Sequence, residues 1–381
     1  MGIEMKRSMR CVAISSAGIP IALFLTGWTA WAADNSKPPV SVEWNPVLAA
    51  KYLDRRAKWW ETWPRSQRDH DTACISCHTT LPYALARPKL ASLLQETATP
   101  EVDRTVLGNV EKRVSLWNEV EPYYTDARSG PGKSKQSRST EAVLNAVVLA
   151  EESARKGHMT DLSRKAFRYA WDLQIKEGPD AGSWDWQIFK LSPWEATESR
   201  YEGATWFARA VAEAPDRYTR DPAVIGNMKL LRAYLRANYS EQPLINKLVL
   251  VWASDKCKGL ITKAEKREIL ATASRQQNGD GGWSLASLGN WNRSDHTAES
   301  KDSDGFATGL VTLVFSDAGD NRYRSEWAKG REWLVRNQNA DGSWRGVSVN
   351  KQRDLATDAG KFMSDAATSY AVMALTLSRS K

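Results

Sequence analysis

Apolar residues recur along this chain at the three- and four-residue spacing of amphipathic helices, and no long stretch alternates apolar with polar residues as a strand would. Loops rich in Gly, Asp, Asn and Ser separate these segments. The pattern predicts twelve helices that follow one another in six pairs. The predicted pairs are 48–63 with 78–95, 100–120 with 139–155, 160–175 with 197–214, 221–240 with 243–256, 262–277 with 303–316, and 321–338 with 364–379.

The two helices of a pair differ in polarity. The first is amphipathic, as in residues 164–171, whereas the second is apolar on nearly every face, as in 142–150, 306–311 and 366–372. A helix without a polar stripe is buried on all sides. We therefore expect an all-α double ring of six hairpins, in which the second helices line a barrel and the first helices cover it.

A short motif recurs after three of the predicted first helices. In each copy a Gln is followed by a Gly and a Trp, and the next predicted inner helix begins soon afterwards. A Gln at this point can hydrogen-bond the backbone of the next hairpin, while Trp packs against helix ends and Gly permits the turn. Three copies in register indicate a structural repeat. The copies are Gln174 with Gly182-Ser183-Trp184, Gln277 with Gly281-Gly282-Trp283, and Gln338 with Gly342-Ser343-Trp344.

This motif resembles the QW repeat of squalene–hopene and oxidosqualene cyclases, and the copy from Gln338 to Trp344 matches it in full. The hairpin rhythm extends the resemblance over residues 48–381. It implies the α/α toroid that these cyclases share with the β-subunits of protein prenyltransferases. The cyclases carry two helical domains, whereas this chain has room for one, so we expect a single (α/α)6 toroid at 48–381.

The same resemblance suggests a catalytic acid in residues 302–307, D-S-D-G-F-A, which fall where the cyclase motif D-x-D-D-T-A opens an inner helix. By that match Asp304 would be the proton donor and Asp302 its partner. Gly305 replaces the third Asp of the motif and Phe306 replaces its Thr. The alternative is that both aspartates cap a helix N-terminus, where the helix dipole stabilises carboxylates.

Residues Cys74 to His78 read C-I-S-C-H, which in an exported protein is the sequence of covalent heme c attachment. Two thiols at this spacing reach the vinyl groups of heme, and His78 reaches the iron as an axial ligand. Two alternatives stay open: a Cys74–Cys77 disulfide or free thiols, and a zinc site completed by an acid from another helix. Candidates for the sixth iron ligand are His70, His158, His296, Met159 and Met363.

The N-terminus predicts export. Three basic residues precede an apolar stretch from Cys11 to about Leu25, and Ala30-Trp31-Ala32 offers the small-x-small pattern of signal peptidase. We expect a signal peptide at 1–32, an N-terminal extension at 33–47, and a periplasmic or secreted protein with no stable membrane anchor after processing. The alternative, a retained anchor, is disfavoured because the apolar stretch is short for a bilayer.

The formal net charge of +8 is modest for 381 residues, and part of it lies in a predicted solvated loop from Arg128 to Arg138. No basic face with interleaved aromatic residues appears elsewhere. Nucleic-acid binding is therefore not expected.

All inner helices of such a ring begin at the same mouth of the barrel, so residues near those starts should meet. We expect the site at this mouth, where apolar walls carry a few polar groups. There the motif residues Cys74, Cys77 and His78 would join Glu198, Arg200, Glu202, His296, Asp302, Asp304, Asp358 and Asp365, with Trp184, Trp186, Trp283 and Trp344 on the loops that lead to it.

Three functions fit these patterns. The first is an exported toroid with heme c at the barrel mouth, which has a redox or ligand-binding role and meets a redox partner and a small apolar or isoprenoid-like ligand. The second is a class II terpenoid cyclase of the squalene type that uses Asp304 as its acid. The third is a non-catalytic binding scaffold. The sequence leaves open whether the protein is an enzyme.

Overall fold

The computed structural model describes residues 43–122 and 130–377. They form twelve α-helices and one hairpin of two short antiparallel strands, and each of the twelve predicted helices is confirmed. The predicted signal peptide at 1–32 lies outside the described residues. The elements are α1 (Pro46–Thr62), β1 (Gln67–Arg68), β2 (Thr72–Ala73), α2 (Thr80–Leu93), α3 (Glu101–Ser115), α4 (Gly130–Lys156), α5 (Asp161–Asp172), α6 (Ser199–Glu213), α7 (Pro222–Ala237), α8 (Leu244–Lys256), α9 (Lys263–Arg275), α10 (Gly305–Ala318), α11 (Arg324–Arg336) and α12 (Phe362–Thr376).

The even-numbered helices form a closed inner ring. Each packs against the next, from α2 to α12, and α12 returns to pack against α2. The odd-numbered helices lie outside, each against an inner neighbour. This is the (α/α)6 toroid that the alternation of helix polarity predicts.

Burial follows the same division. Every residue of α10 from Gly305 to Ser316, and of α12 from Met363 to Leu375, is buried, whereas the outer helix α9 buries only Ile269, Leu270 and Ala273. A fully buried large aliphatic side chain contributes about 1.5–3 kcal/mol. The inner ring therefore supplies most of the hydrophobic stabilisation. Within the described residues, no helix has the length and apolar character needed to cross a bilayer.

The repeat glutamines join neighbouring hairpins. Gln174 donates from Nε2 to the carbonyl of Asn227 at 3.1 Å, and Gln277 donates likewise to the carbonyl of Glu326 at 2.9 Å. Gln338 makes the same contact with Asn45, the N-cap residue of α1. Each Nε2 also donates to the carbonyl of the glycine in its own motif. These bonds fix the spacing of three outer helices and tie the last one to the first.

The tryptophans and glycines of the repeat act as the motif predicts. Trp184, Trp283 and Trp344 are buried, and each indole N–H donates to a carbonyl of the preceding outer helix at 2.6–2.8 Å. Gly342 has a φ of +89° and lies directly on the backbone of Leu48, which a Cβ would overlap. Only glycine permits both this backbone conformation and this close approach.

The predicted solvated loop at 128–138 is wrong for the part that the structure describes, because α4 begins at Gly130. Pro131 falls in the first turn, where a missing N–H removes no helical hydrogen bond. The basic side chains also have partners. The Arg138 guanidinium lies 4.3 Å from the centre of the Trp117 ring and donates to the carbonyl of Val120 at 2.9 Å.

Candidate functional site

The C-I-S-C-H segment runs from the β1–β2 hairpin to the start of α2. The N–H of Cys74 donates to the carbonyl of Ser66 at 3.0 Å, and its carbonyl accepts the indole N–H of Trp60 at 2.6 Å. Just before it, the side-chain amide of Asn109 on α3 accepts the N–H of Ala73 and donates to its carbonyl. The first thiol is therefore fixed by α1, α3 and the hairpin together.

Ser76, inside the motif, caps α2. Its Oγ accepts the N–H groups of Thr79 and Thr80 at 3.1 and 3.0 Å. The hydroxyl of Thr79, which holds the N-cap position, takes no part in this cap. That hydroxyl is consequently available to the neighbouring imidazole.

A hydrogen-bond relay orients the imidazole of His78. Its Nδ1 lies 2.9 Å from Thr79 Oγ1, and that hydroxyl donates to Asp365 Oδ2 at 2.8 Å. A threonine hydroxyl carries one proton, so Nδ1 of His78 must be the donor to Thr79. Nε2 then keeps its lone pair, and it has no hydrogen-bond partner within the described residues. Such a partner on one ring nitrogen is what fixes the tautomer of a metal-binding histidine.

Asp365 is held in turn by the first hairpin. Arg56 donates to both carboxylate oxygens, at 2.7 and 3.0 Å, and the Tyr52 hydroxyl donates to Oδ1 at 2.9 Å. Arg56 also pairs with Asp358 at 2.8 Å. The relay thus joins α1, the start of α2 and the start of α12.

A cavity of about 380 Å³, called the motif cavity below, opens beside these residues and includes Cys74, Cys77 and His78 in its lining. It lies where α2, α4 and α12 begin. Two sets of residues surround the motif. The aromatic set contains Trp60, Trp63, Trp194 and Phe362, and the polar set contains Ser137, Thr140, Glu141, Gln187, Ser192, Glu195, Ser348 and Asn350.

The aromatic set encloses the imidazole. Phe362 stacks on the ring of His78 with centroids 4.0 Å apart, and Trp60 meets it edge to face at 5.1 Å. Burial lowers the pKa of His78 to about 3, with a further contribution from Arg56. The imidazole is therefore neutral at ordinary pH, which is the form that binds metals.

Burial also controls the other ionisable groups of the motif cavity. It raises the pKa of both Cys74 and Cys77, so the two thiols stay protonated, and they are not joined in a disulfide. It raises the pKa of Glu195 to about 7. Glu141, by contrast, is paired with Arg113 at 2.5 Å.

The charged residues expected around the mouth do not line the motif cavity. Asp365 meets His78 only through Thr79, and Asp358 is the partner of Arg56. Glu202 lies deeper in the barrel, where it faces a small void beside Cys77 and Tyr370. Asp358 and Asp365 do not reach the cavity because Arg56, Tyr52 and Thr79 engage them. Glu198 accepts the hydroxyl of Ser192, which lines the motif cavity, whereas Arg200 pairs with Asp180 and His296 is exposed. The four tryptophans of the loops, Trp184, Trp186, Trp283 and Trp344, are buried.

Asp304 is the N-cap of α10. Its Oδ1 accepts the N–H groups of Phe306 and Ala307 at 2.9 and 3.0 Å, and Oδ2 accepts that of Leu285 at 2.6 Å. Burial raises its pKa to about 6, although these three donors favour the ionised form. Asp302 is exposed and does not bond to Asp304. The cap alternative therefore describes Asp304, and its role as a cyclase acid stays a prediction.

Of the five candidates for a sixth ligand, Met363 lines the motif cavity, whereas His70, His158 and His296 are exposed and Met159 is buried elsewhere. Within residues 43–122 and 130–377, no three His, Cys, Asp or Glu side chains converge as a metal-holding group. The zinc alternative thus has no assembled ligand set in the described part of the chain.

No family model and no curated protein sequence matches this chain. Solved structures that resemble it include a glycosidase variant, with 11% identity and a TM-score of 0.49 over 87% of this chain and 98% of that one. An inactive alpha-1,6-mannanase variant from Salegentibacter has 9% identity and a TM-score of 0.48 over 87% of this chain and 99% of that one. The type II terpene cyclase MstE from Scytonema has 12% identity and a TM-score of 0.44 over 86% of this chain and 97% of that one. Values this low carry no argument about activity, and the toroid rests on the helix packing of this chain.

The sequence reasoning missed the polar set. Gln187, Ser192 and Glu195 lie in the loop between α5 and α6, which has no periodicity to mark it. The one available signal was position, because Trp194-Glu195 comes shortly before an inner helix. That is where the C-I-S-C-H segment also lies.

Proposed function

We propose that this chain is an exported heme c protein, in which Cys74 and Cys77 hold the porphyrin covalently and His78 is an axial ligand of the iron. The observation that carries the proposal is the relay through Thr79 to Asp365. It commits Nδ1 of His78 to a hydrogen bond and leaves Nε2 with a lone pair beside two protonated thiols.

The surroundings fit such a group. The motif cavity, at about 380 Å³, lies within the range of roughly 300–1,000 Å³ that small-molecule sites occupy. Its aromatic set offers flat apolar surface for a porphyrin, and Arg65 and Arg353 in the lining offer cations for propionates. Met363 supplies a thioether in the same lining and is our choice for the second axial ligand.

When bound, heme supplies one-electron redox chemistry or reversible ligand binding at iron. The chain's own residues prepare that chemistry. His78 is presented as a neutral imidazole of fixed tautomer, Arg56 and Tyr52 hold Asp365 in place, and Phe362 and Trp60 pack against the ring. The polypeptide thus sets the basicity and orientation of the axial ligand.

The polar set indicates the second ligand of the motif cavity. Ser137 Oγ is buried with no hydrogen-bond partner in the described chain, and Gln187 and Glu195 line the same space. A buried hydroxyl without a partner costs about 1–3 kcal/mol, which a ligand group that bonds to it offsets. We therefore favour a small molecule with hydrogen-bonding groups over a purely apolar or isoprenoid-like ligand.

The test is expression of the full chain, with its own N-terminus, in a bacterium that has an active cytochrome c maturation system. We expect a pyridine hemochrome spectrum of the c type and a mass increase of one heme, both retained after denaturation. The Cys74→Ser, Cys77→Ser double variant should lose both signals, and Cys257→Ser, which removes a buried thiol elsewhere, should keep them.

A wild-type chain without heme, in cells that load a control cytochrome, would overturn the proposal. Thiol titration and metal analysis of that same sample then distinguish a disulfide, zinc and free thiols. Recovery of the mature protein from the periplasm tests the export part of the proposal separately.

A further inference from the structure

The inner helices enclose a second cavity at their other ends. It measures about 260 Å³, and all six inner helices, α2, α4, α6, α8, α10 and α12, contribute to its lining. Glu151, Glu213, Lys256, Asp317 and Met373 are examples. The motif cavity lies nearer the starts of α2, α4 and α12, so the two cavities lie toward opposite ends of these three helices.

Three charged groups meet deep in this second cavity. Arg209 donates to Glu213 at 2.8 Å, and its Nη1 lies 3.9 Å from Asp317 Oδ2, too far for a hydrogen bond. That Oδ2 atom is buried and has no hydrogen-bond partner within the described residues, and the Asp317 side chain is only 12% exposed. One cation thus serves two carboxylates, and the trio carries a net negative charge.

The other cations of the lining act on these carboxylates only through space, Lys89 and Lys256 on Glu213 and Lys256 on Asp317, and neither bonds to Asp317 Oδ2. Lys89 is paired with Glu151 at 3.0 Å, and Lys256 is 44% exposed and lies 3.7 Å from Asp255. Helix C-termini each carry a partial negative charge, and all six inner helices end toward this mouth. Burial also raises the pKa of Glu213 and of Asp317, because both carboxylates have lost water. A ligand group that donates to the buried Asp317 Oδ2, above all a cationic one, is therefore favoured here.

The rest of the lining is apolar. Trp206 and Trp252 meet edge to face at 4.9 Å, and Leu313, Val147 and Met373 add aliphatic surface. Arg209 already stacks 4.0 Å from the Trp252 ring centre, so the wall accepts cations against its aromatic faces. An apolar cavity of about 150 Å³ can hold benzene, so this one, at about 260 Å³, has room for an aromatic ring with a short amine chain.

We propose that this second cavity is a binding site for a small primary amine with an apolar body, whose ammonium group donates to Asp317 and Glu213. The proposal does not depend on heme, because the site shares no charged residue with the motif cavity. The ammonium supplies the hydrogen bond that Asp317 Oδ2 lacks, and the body packs against Trp206 and Leu313.

Calorimetric titration of the full chain with phenethylamine tests this, with 2-phenylethanol as the uncharged probe and 3-phenylpropionate as the anionic one. We expect the amine to bind about tenfold or more tightly than the alcohol, and the anion not to bind. Asp317→Asn should weaken amine binding by roughly 10- to 100-fold, since a charge-assisted hydrogen bond is lost.

Asp172→Asn is the matched control, because it removes the same charge from an exposed side chain at the end of α5, outside the cavity, and should leave the affinity unchanged. His78→Ala should also leave it unchanged, which separates this site from the motif cavity. Glu213→Gln provides a second variant if Asp317→Asn does not fold. Equal binding of amine and alcohol, no binding of the amine, or full affinity in folded Asp317→Asn would each overturn the proposal.

Discussion

The side chain of Gln338 and the backbone of Asn45 exchange two hydrogen bonds, of 3.0 and 2.6 Å, although 293 positions separate them. This contact ties the last outer helix to the first. Gln338→Ala, which also removes the bond to the carbonyl of Gly342, should therefore lower the free energy of unfolding by about 1.5–4.5 kcal/mol, since each of the three lost bonds is worth about 0.5–1.5 kcal/mol. Urea denaturation followed by circular dichroism measures the difference.

Gln276→Ala is the control for that measurement. Gln276 is exposed and lies next to a repeat glutamine, so its loss should change stability by no more than about 0.5 kcal/mol. If the two variants were equally stable, Gln338 would not be a closing contact of the ring.

Thr79→Val should release the imidazole of His78. Without the hydroxyl, Nδ1 loses its acceptor, so the proton moves to Nε2 in part of the molecules. A nitrogen–proton correlation spectrum of the imidazole should show the Nδ1–H form alone in the parent and a mixture in the variant. Thr62→Val is the control, because that hydroxyl bonds only to carbonyls of its own helix. An unchanged His78 spectrum in Thr79→Val would contradict the relay.

Asp365→Asn should destabilise the protein far more than Asp358→Asn, although both bind Arg56. Arg56 is 3% exposed and Asp365 1%, whereas Asp358 is 52% exposed. Breaking the buried pair leaves a charge without water, at a cost of about 3–5 kcal/mol, and loss of the exposed partner costs about 1 kcal/mol or less. Thermal unfolding of the two variants decides this, and equal shifts would refute the distinction.

Asp304→Ala should cost about 2 kcal/mol, because three backbone N–H groups lose their acceptor. Asp302→Ala, at an exposed side chain, should stay within about 0.5 kcal/mol of the parent. Urea denaturation gives both values. Squalene turnover by the parent that disappears in a stable Asp304→Asn variant would instead favour the cyclase hypothesis.

Glu202 should make stability fall as the pH rises. Burial raises its pKa from an ordinary value of 4.5 to about 8, so between these values the folded protein keeps a proton that the unfolded chain loses. The free energy of unfolding then falls by up to about 1.4 kcal/mol per pH unit in that window, because the unfolded chain is stabilised by ionisation of Glu202. Glu202→Gln should flatten the decline and exceed the parent in stability near pH 8.

The matched control for this pH series is Glu177→Gln, at an exposed side chain, which should follow the parent. Unfolding free energies at several pH values supply the comparison. A Glu202→Gln profile parallel to that of the parent would show that the carboxyl does not keep its proton in the barrel.

The helices and their pairing could be predicted because burial on every face leaves a direct mark in the sequence, as in residues 306–311 of α10. The early start of α4 could not be predicted in this way. Its first turns are rich in Gly, Pro and Ser, and they are helical because Arg138 and its neighbours find partners on other segments. The amino-acid composition of this segment does not indicate that such partners exist.

The candidate site likewise has a part that the sequence predicts and a part that it does not. The spacing of Cys74, Cys77 and His78 marks a chemical motif by itself, and their shared cavity follows from the ring. The link from His78 through Thr79 to Asp365 depends on side-chain directions at two helix starts, 286 positions apart. Sequence spacing does not predict a contact between such distant positions. Of the acids expected at the mouth, Asp304 is a helix cap, and Asp358 and Asp365 are ion-pair partners of Arg56.

Arg56 and Asp365, bound at 2.7 Å, are 309 positions apart. During synthesis the two cysteines therefore leave the ribosome early, whereas Asp365, whose carboxylate orients the imidazole, leaves it almost last. A chain that ends before Asp365 has both cysteines, but it lacks the carboxylate that orients the imidazole of His78. The imidazole in the first hairpin is therefore oriented only after the sixth hairpin has been synthesised.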